Sequence, residues 1–111
     1  HPGGSLSAID MLVGLYNYKL KVDPKNPMWS ERDRFVLSKG HCSPAIYSVL
    51  ADKGFFPKSE LEGYRKIGRM LQGHPELSTP GIDFAGNLLC AWNCSCMQAG
   101  QKKLQCLCND W

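Results

Sequence analysis

The stretch that most constrains the fold is a short apolar run, residues 35–38, which passes through Gly40 and His41 into a helical pattern. Ser43 is a candidate N-cap, and Pro44 suits the first position of a helix. This order predicts a strand, a turn and a helix that begins beside His41. Backbone N–H groups and the imidazole would then point to one place, which suits a phosphate or another anion. The simpler alternative is a βα turn in which His41 bonds a nearby carbonyl group.

Apolar residues at spacings of three and four predict three helices and the face that each one buries. The first would begin near Ser5 and end near Lys21, and the helix after the strand would end at Gly54. The third would begin at Ser59, with Glu62 completing a capping box. The predicted apolar faces are Leu6, Ile9, Leu12, Val13, Tyr16 and Leu20, then Ala45, Ile46, Val49 and Leu50, then Leu61, Tyr64, Ile67 and Leu71.

Residues 22–34 are predicted to form a loop, because Pro24 and Pro27 forbid a regular helix. Trp29 is expected to pin this loop to the core. The charged residues 31–34 are expected to form a solvated cluster.

The chain has three histidines, His1, His41 and His74, and each stands beside Gly or Pro at the end of an element. Their spacings of about thirty to forty residues, with no Cys or acid in step, do not form a zinc pattern. Two interpretations stay open on spacing alone. Either three imidazoles on loops converge on a polar, phosphorylated ligand, or three surface histidines are unrelated.

Length and composition limit the class of protein. With 111 residues the chain forms one domain at most, and 43% hydrophobic with 21% charged residues is ordinary for a globular chain. A net charge of +3, with scattered Lys and Arg, does not favour nucleic-acid binding. No apolar run approaches the roughly 20 residues of a membrane span, and no signal peptide opens the chain. Because the chain starts at His1 rather than Met, we expect a fragment or a processed product.

The cysteines are unevenly distributed. Cys42 stands alone in the first 89 residues, whereas five fall within the last 22: Cys90, Cys94, Cys96, Cys106 and Cys108. The resulting C-x3-C-x-C and C-x-C spacings match zinc knuckles poorly. Disulfides are the other alternative, and they require an oxidising compartment.

Three motifs in register, residues 1–7 (HPGGSLS), 33–41 (DRFVLSKGH) and 72–76 (QGHPE), resemble transketolase. The likeness is to its N-terminal, thiamine-diphosphate-binding domain, especially the type that forms a separate subunit, and it covers residues 1–88. The resemblance implies an α/β fold, here an incomplete doubly wound thiamine-diphosphate-binding domain.

Transketolases move a two-carbon ketol unit from a ketose phosphate to an aldose phosphate, using thiamine diphosphate and usually Mg²⁺. The resemblance therefore implies a cytoplasmic transferase of the pentose phosphate pathway. A related alternative is another ketol-transferring thiamine enzyme, such as a dihydroxyacetone synthase. By motif match, His1 and His74 would be the catalytic and substrate-binding residues. The implied cofactor-binding residues are His41, Gly86, Asn87 and Leu88.

The likeness ends after Leu88, since Leu89 stands where the family has a glycine. The family's Gly-Asp-Gly metal motif and its second domain are absent, so metal ligands would lie outside this chain. The implied partners are sugar phosphates, a C-terminal transketolase domain or subunit, and a homodimeric copy. Taken alone, the fragment is expected to be a marginal or partly disordered monomer without activity.

Residues 89–111 are interpreted as an unrelated Cys-rich tail that is disordered or out of frame. Read one base later, codons for residues 104–111 permit Tyr-Asn-Val-Tyr-Val-Met-Thr-Gly, a buried-strand pattern. The alternative from another class is a non-catalytic binding protein with a genuine zinc tail.

Overall fold

A computed structural model describes residues 1–85 and 104–106 of the chain, the side chains of 84, 85 and 104–106 excepted. Its helices and strands follow in the order α1 (Gly3–Gly14), a π-helical turn (Leu15–Lys19), β1 (Arg34–Leu37), a 3-10 turn (Gly40–Cys42), α2 (Ser43–Lys53), a 3-10 turn (Lys58–Gly63), β2 (Phe84–Ala85) and β3 (Leu104–Cys106). No helix of these described residues is both long enough and apolar enough to cross a membrane.

The strands form a parallel sheet in the order β2-β1-β3. Parallel neighbours need long crossover connections, so this sheet with its helices confirms the predicted incomplete α/β domain. The strand predicted at residues 35–38 is β1, one residue earlier than expected. β3 lies within residues 89–111, the predicted unrelated tail, whose boundary at residue 88 stays a prediction.

Helix α1 begins at Gly3 with Pro2 at the N-cap position, so the predicted start at Ser5 was wrong by two residues. It buries Ala8 and Leu12, and the π-helical turn adds Tyr16. These residues are four apart and share one stripe at about 100° per residue. The predicted face was too wide, because Leu6 and Val13 lie outside this stripe and are exposed.

Helix α2 buries its predicted face of Ala45, Ile46, Val49 and Leu50. It ends where predicted, at Gly54, which has a φ of +93° and donates its N–H to the Leu50 and Ala51 carbonyls. A residue with Cβ is strained in this left-handed conformation, which explains the glycine.

The prediction of a third helix from Ser59 was wrong. Residues 58–63 form a 3-10 turn, and Arg65 and Gly68 then take positive φ angles of 60° and 75°. The Arg65 N–H donates to the Leu71 carbonyl at 2.8 Å and closes a loop that no α-helix accommodates. Leu71 is buried as predicted, whereas Ile67 points fully into solvent.

The amino end of β1 is closed by a buried ion pair. Arg32 and Asp83 each expose 7% of their side chains and form a two-pronged bond, which includes Arg32 Nη1 to Asp83 Oδ2 at 2.9 Å. The bond raises the pKa of Arg32. Asp83 also accepts the Phe35 N–H at 2.9 Å. Residues 31–34 were expected to form a solvated cluster. This was wrong for Arg32, whose side chain is buried against a partner 51 residues away in the sequence.

The core lies between α1, α2 and β1. It consists of Ala8, Leu12, Tyr16, Leu20, Phe35, Leu37, Cys42, Ala45, Ile46, Tyr47, Val49, Leu50, Ala51, Phe56 and Leu71. Trp29 is 38% exposed and lies outside this cluster, so its predicted role as an anchor was wrong.

Candidate functional site

His1, His41 and His74 line one cleft of about 580 Å³, and all three side chains are exposed. The volume is within the range of sites for small molecules. Two interpretations of the histidines were left open, convergence on one place or three unrelated surface positions. The structure supports convergence, because the three histidines line the same cleft. The other described residues of the wall are Pro2, Ser5, Leu6, Pro44, Tyr64, Arg65 and Gly73.

His41 lies in the 3-10 turn that joins the carboxyl end of β1 to α2. The first turn of α1 packs directly against it at Gly4. A Cβ on Gly4 would lie 3.3 Å from His41 Nε2 and 2.9 Å from Cys42 Sγ. The absence of a side chain at Gly4 therefore permits this contact. Burial raises the pKa of the Cys42 thiol, so it stays protonated and packs as a small apolar group.

His74 follows a loop that two hydroxyl groups of α2 hold in place. Ser43 Oγ donates to the Gly73 carbonyl at 2.6 Å, and Tyr47 Oη donates to the Gln72 carbonyl at 2.9 Å. Burial raises the pKa of Tyr47 to about 12, so it remains a donor at neutral pH. The prediction that Ser43 is an N-cap was wrong, because Cys42 takes that position, and no role was predicted for Tyr47. The available signal was their spacing of four, which places both on one face of a helix.

Arg65 is a further residue of the cleft that was not among the predicted site residues. It lies in the cleft wall beside Gly73, where a Cβ would be 3.6 Å from Arg65 Nε. No carboxylate of the described residues pairs with it, so its charge is available to a ligand. Its φ of +60° is uncommon for a residue with a side chain, and such backbone strain concentrates at functional sites.

The predicted cofactor residues Gly86, Asn87 and Leu88 lie outside the described residues, as do the side chains of the five clustered cysteines. β2 ends at Ala85, which pairs with Leu37, the last residue of β1. Parallel strands have their carboxyl ends at one edge, so the chain leaves β2 at the edge where it also leaves β1 toward His41. Within the described residues, no three or more His, Cys, Asp or Glu side chains are grouped to hold a metal ion.

A parallel α/β sheet with a cleft beyond the carboxyl end of its central strand is typical of domains that bind phosphorylated cofactors. The comparisons with known proteins identify which kind this is. The family model described as transketolase, thiamine diphosphate binding domain, matches residues 1–105, and the chain belongs to this family. The match continues past residue 88, the predicted boundary.

One similar relative is a 6-deoxy-6-sulfo-D-fructose transketolase subunit from Clostridium sp. (strain MSTE9). It is 51% identical over 84 residues, which cover 75% of this chain and 30% of the relative. Transketolase from Campylobacter jejuni is a similar solved structure, with 36% identity and a TM-score of 0.65 over 73% of this chain and 13% of that one.

A second similar structure is a Pichia stipitis transketolase in complex with sedoheptulose-7-phosphate. It shares 31% identity and a TM-score of 0.60 over 74% of this chain and 12% of that one. The chain thus spans less than a third of the length of each of these proteins.

Thiamine diphosphate fits the residues that are present. The Gly4 contact keeps the His41 ring against α1 while the imidazole still faces the cleft. An imidazole at this point donates a hydrogen bond to a phosphate oxygen, and the start of α2 adds a favourable dipole. The described residues near His41 include no carboxylate in the cleft wall that would repel a diphosphate.

Proposed function

We propose that the chain supplies part of the thiamine-diphosphate site of a transketolase that transfers a two-carbon ketol unit from a ketose phosphate to an aldose phosphate. One observation carries the proposal: the three histidines named by the family motifs line one cleft. The family match supports the cofactor, since it is a thiamine diphosphate binding domain.

His41 is proposed to bind the cofactor diphosphate, together with Gly86, Asn87 and Leu88 after β2. Mg²⁺ would accompany the diphosphate, with its ligands outside this chain. The bound cofactor would supply the carbon nucleophile and the electron sink that the ketol transfer needs. The contribution of this chain is to hold the diphosphate and to shape one wall of the cleft.

His1 and His74 are proposed to act on the sugar. An imidazole near neutral pH can both donate and accept a hydrogen bond, which suits sugar hydroxyl groups. His74 would bind the hydroxyls of the donor sugar. His1 would contact the substrate and accept or return a hydroxyl proton as general base and acid.

The proposed substrates are sugar phosphates, in keeping with the sedoheptulose-7-phosphate bound by the Pichia stipitis relative. The proposed partners are a C-terminal transketolase domain or subunit and a second copy of the domain. We place the assembled enzyme in the cytoplasm and in the pentose phosphate pathway. The chain alone would bind ligands without turning them over.

The test is a nuclear magnetic resonance titration of the three histidine side chains in the full chain. Thiamine diphosphate with Mg²⁺ should shift the His41 signals, whereas thiamine without phosphate should shift them much less. Sedoheptulose 7-phosphate added next should shift His1 and His74. A His41→Asn variant should bind the cofactor at least tenfold more weakly, and His74→Asn is its matched control in the same cleft.

The proposal would be wrong if thiamine diphosphate and thiamine gave equal shifts, or if His74→Asn weakened the cofactor as much as His41→Asn. Either result would mean that the cleft does not recognise the diphosphate through His41.

A further inference from the structure

A hydroxyl group at the start of α2 connects two walls of the cleft. Ser43 is completely buried and its Oγ donates to the Gly73 carbonyl oxygen at 2.6 Å. A serine hydroxyl has one proton, so its 3.1 Å contact with Tyr64 Oη must be a bond in which the tyrosine donates. The result is a directed chain from Tyr64 to Ser43 to Gly73.

The position of this chain relates two histidines. Ser43 is two residues after His41, and Gly73 immediately precedes His74. Tyr64, Gly73 and both histidines line the cleft. The Ser43 hydroxyl therefore joins the segment that carries one imidazole to the segment that carries the other, across 30 residues of sequence.

A second bond fixes the same loop. Tyr47, one helical turn after Ser43, is buried and donates to the Gln72 carbonyl at 2.9 Å. Two consecutive carbonyl groups before His74 are thus bound to one face of α2. Residues 72–74 lie outside regular secondary structure, so these bonds take the place of a backbone ladder.

We propose that Ser43 is a positioning residue that holds His74 in the cleft that it shares with His41, so that removal of the Ser43 hydroxyl weakens sugar binding while cofactor binding remains. The claim that Ser43 positions the loop before His74 stands on the hydrogen bonds alone. The claim about sugar and cofactor binding rests on the proposed function. Gly73 would lose its donor and Tyr64 its acceptor. Both residues are half-buried in the cleft wall, so water can take the place of the lost partner and this tie between the loop and α2 is broken.

The first experiment compares ¹⁵N order parameters of the backbone in Ser43→Ala and Ser48→Ala variants of the full chain. Ser48 is the matched control because it is on the same helix, is exposed, and donates only to the Pro44 carbonyl one turn earlier, at 2.8 Å. In Ser43→Ala the order parameters of Gly73 and His74 should fall from a rigid value of about 0.85 to below about 0.6. Those of α2, and all of those in Ser48→Ala, should keep their wild-type values.

Two further variants keep the test decisive. Ser43→Thr retains the hydroxyl and should keep the wild-type order parameters at residues 73 and 74. If Ser43→Ala fails to fold, Tyr64→Phe removes only the donor to Ser43 and should lower the same order parameters by a smaller amount. Unchanged order parameters at residues 73 and 74 in the folded variants would overturn the inference.

The second experiment measures ligand affinity by the histidine signals. In Ser43→Ala, sedoheptulose 7-phosphate should bind at least tenfold more weakly in the presence of thiamine diphosphate, while the affinity for the cofactor stays within twofold. Lower order parameters with unchanged sugar affinity would refute the role in sugar binding. If the wild type binds neither ligand, the proposed function fails, and the comparison of order parameters still decides the positioning role by itself.

Discussion

The two ends of strand β1 are built in opposite ways. At the amino end, Arg32 and Asp83 are both 7% exposed and form an ion pair, and Asp83 also accepts the Phe35 N–H. At the carboxyl end, the chain runs into a cleft where His41 and two other histidines are exposed. The amino end is closed by paired charges, whereas the carboxyl end opens into a cleft that exposed imidazoles line.

This difference separates what stabilises the fold from what is available to a ligand. Asp83 immediately precedes β2, so its bonds to Arg32 and Phe35 set the register of β2 on β1. That register brings the two carboxyl ends to one edge, where ligands bind in open α/β sheets. We therefore expect substitutions at the amino end to act on stability and those in the cleft wall to act on binding.

The largest expected effect is at the amino end. Asp83→Asn would leave Arg32 as a buried charge without its counter-ion, which should cost about 3–5 kcal/mol of unfolding free energy. Urea denaturation monitored by circular dichroism measures this loss. Asp33→Asn is the matched control, because its carboxylate bonds the exposed Lys21 N–H and should cost at most about 1 kcal/mol. Equal losses in the two variants would show that the Asp83 carboxylate matters no more than an exposed one, and that the amino end of β1 is not held closed by its ion pair.

The next largest effect is expected at the carboxyl end of β1, where Gly4 packs closely against Cys42. Gly4→Ala would push a methyl group to 2.9 Å from Cys42 Sγ and should cost about 1–3 kcal/mol through overpacking. Gly3→Ala is the control one residue earlier, since a Cβ there has nothing within 4 Å. It should stabilise the helix by up to about 1 kcal/mol. Equal stability of the two variants in thermal unfolding would refute the close contact.

The sequence predicted those parts of the molecule that depend on neighbours along the chain. The buried face of α2, its end at Gly54 and strand β1 follow from local spacing and turn chemistry. The three histidines were singled out by their places beside Gly or Pro at the ends of elements, and the family motifs then implied their roles.

Contacts between distant residues could not be predicted in this way. Arg32 resembles a surface charge until Asp83 is brought beside it from 51 residues away. Ser59 to Leu71 has a helical pattern, yet the bond from Arg65 to Leu71 overrides it. The Ser43 hydroxyl was assigned to a helix cap because its true partner, Gly73, is 30 residues away.

A pH effect tests the buried layer beneath the cleft. Burial raises the pKa of Tyr47 from 10 to about 12, so the folded state keeps a proton that the unfolded chain loses. Its contribution to stability is fully present below pH 10 and is lost as the pH rises to about 12, by roughly 2 kcal/mol. Unfolding free energies of wild type and Tyr47→Phe should therefore converge over this range. A constant difference between pH 9 and 12 would show that Tyr47 titrates normally in the folded state.

The smallest effect on stability sharpens the comparison most, because stability and binding should change in opposite directions. Arg65→Gly relieves the backbone strain of a φ of +60°, which stabilises the folded state. Glycine also gives the unfolded chain more conformational entropy, which offsets part of this gain, so the unfolding free energy should rise by up to about 1 kcal/mol. Arg65→Gly also removes the guanidinium group, a permanent positive charge, from the described cleft wall. Sedoheptulose 7-phosphate should therefore bind several-fold more weakly, because its phosphate loses an arginine partner. Arg65→Lys is the matched control, since it keeps the charge and the strained backbone. A destabilised Arg65→Gly variant would show that the arginine packs as part of the scaffold, and the cleft wall would then resemble the closed end of β1.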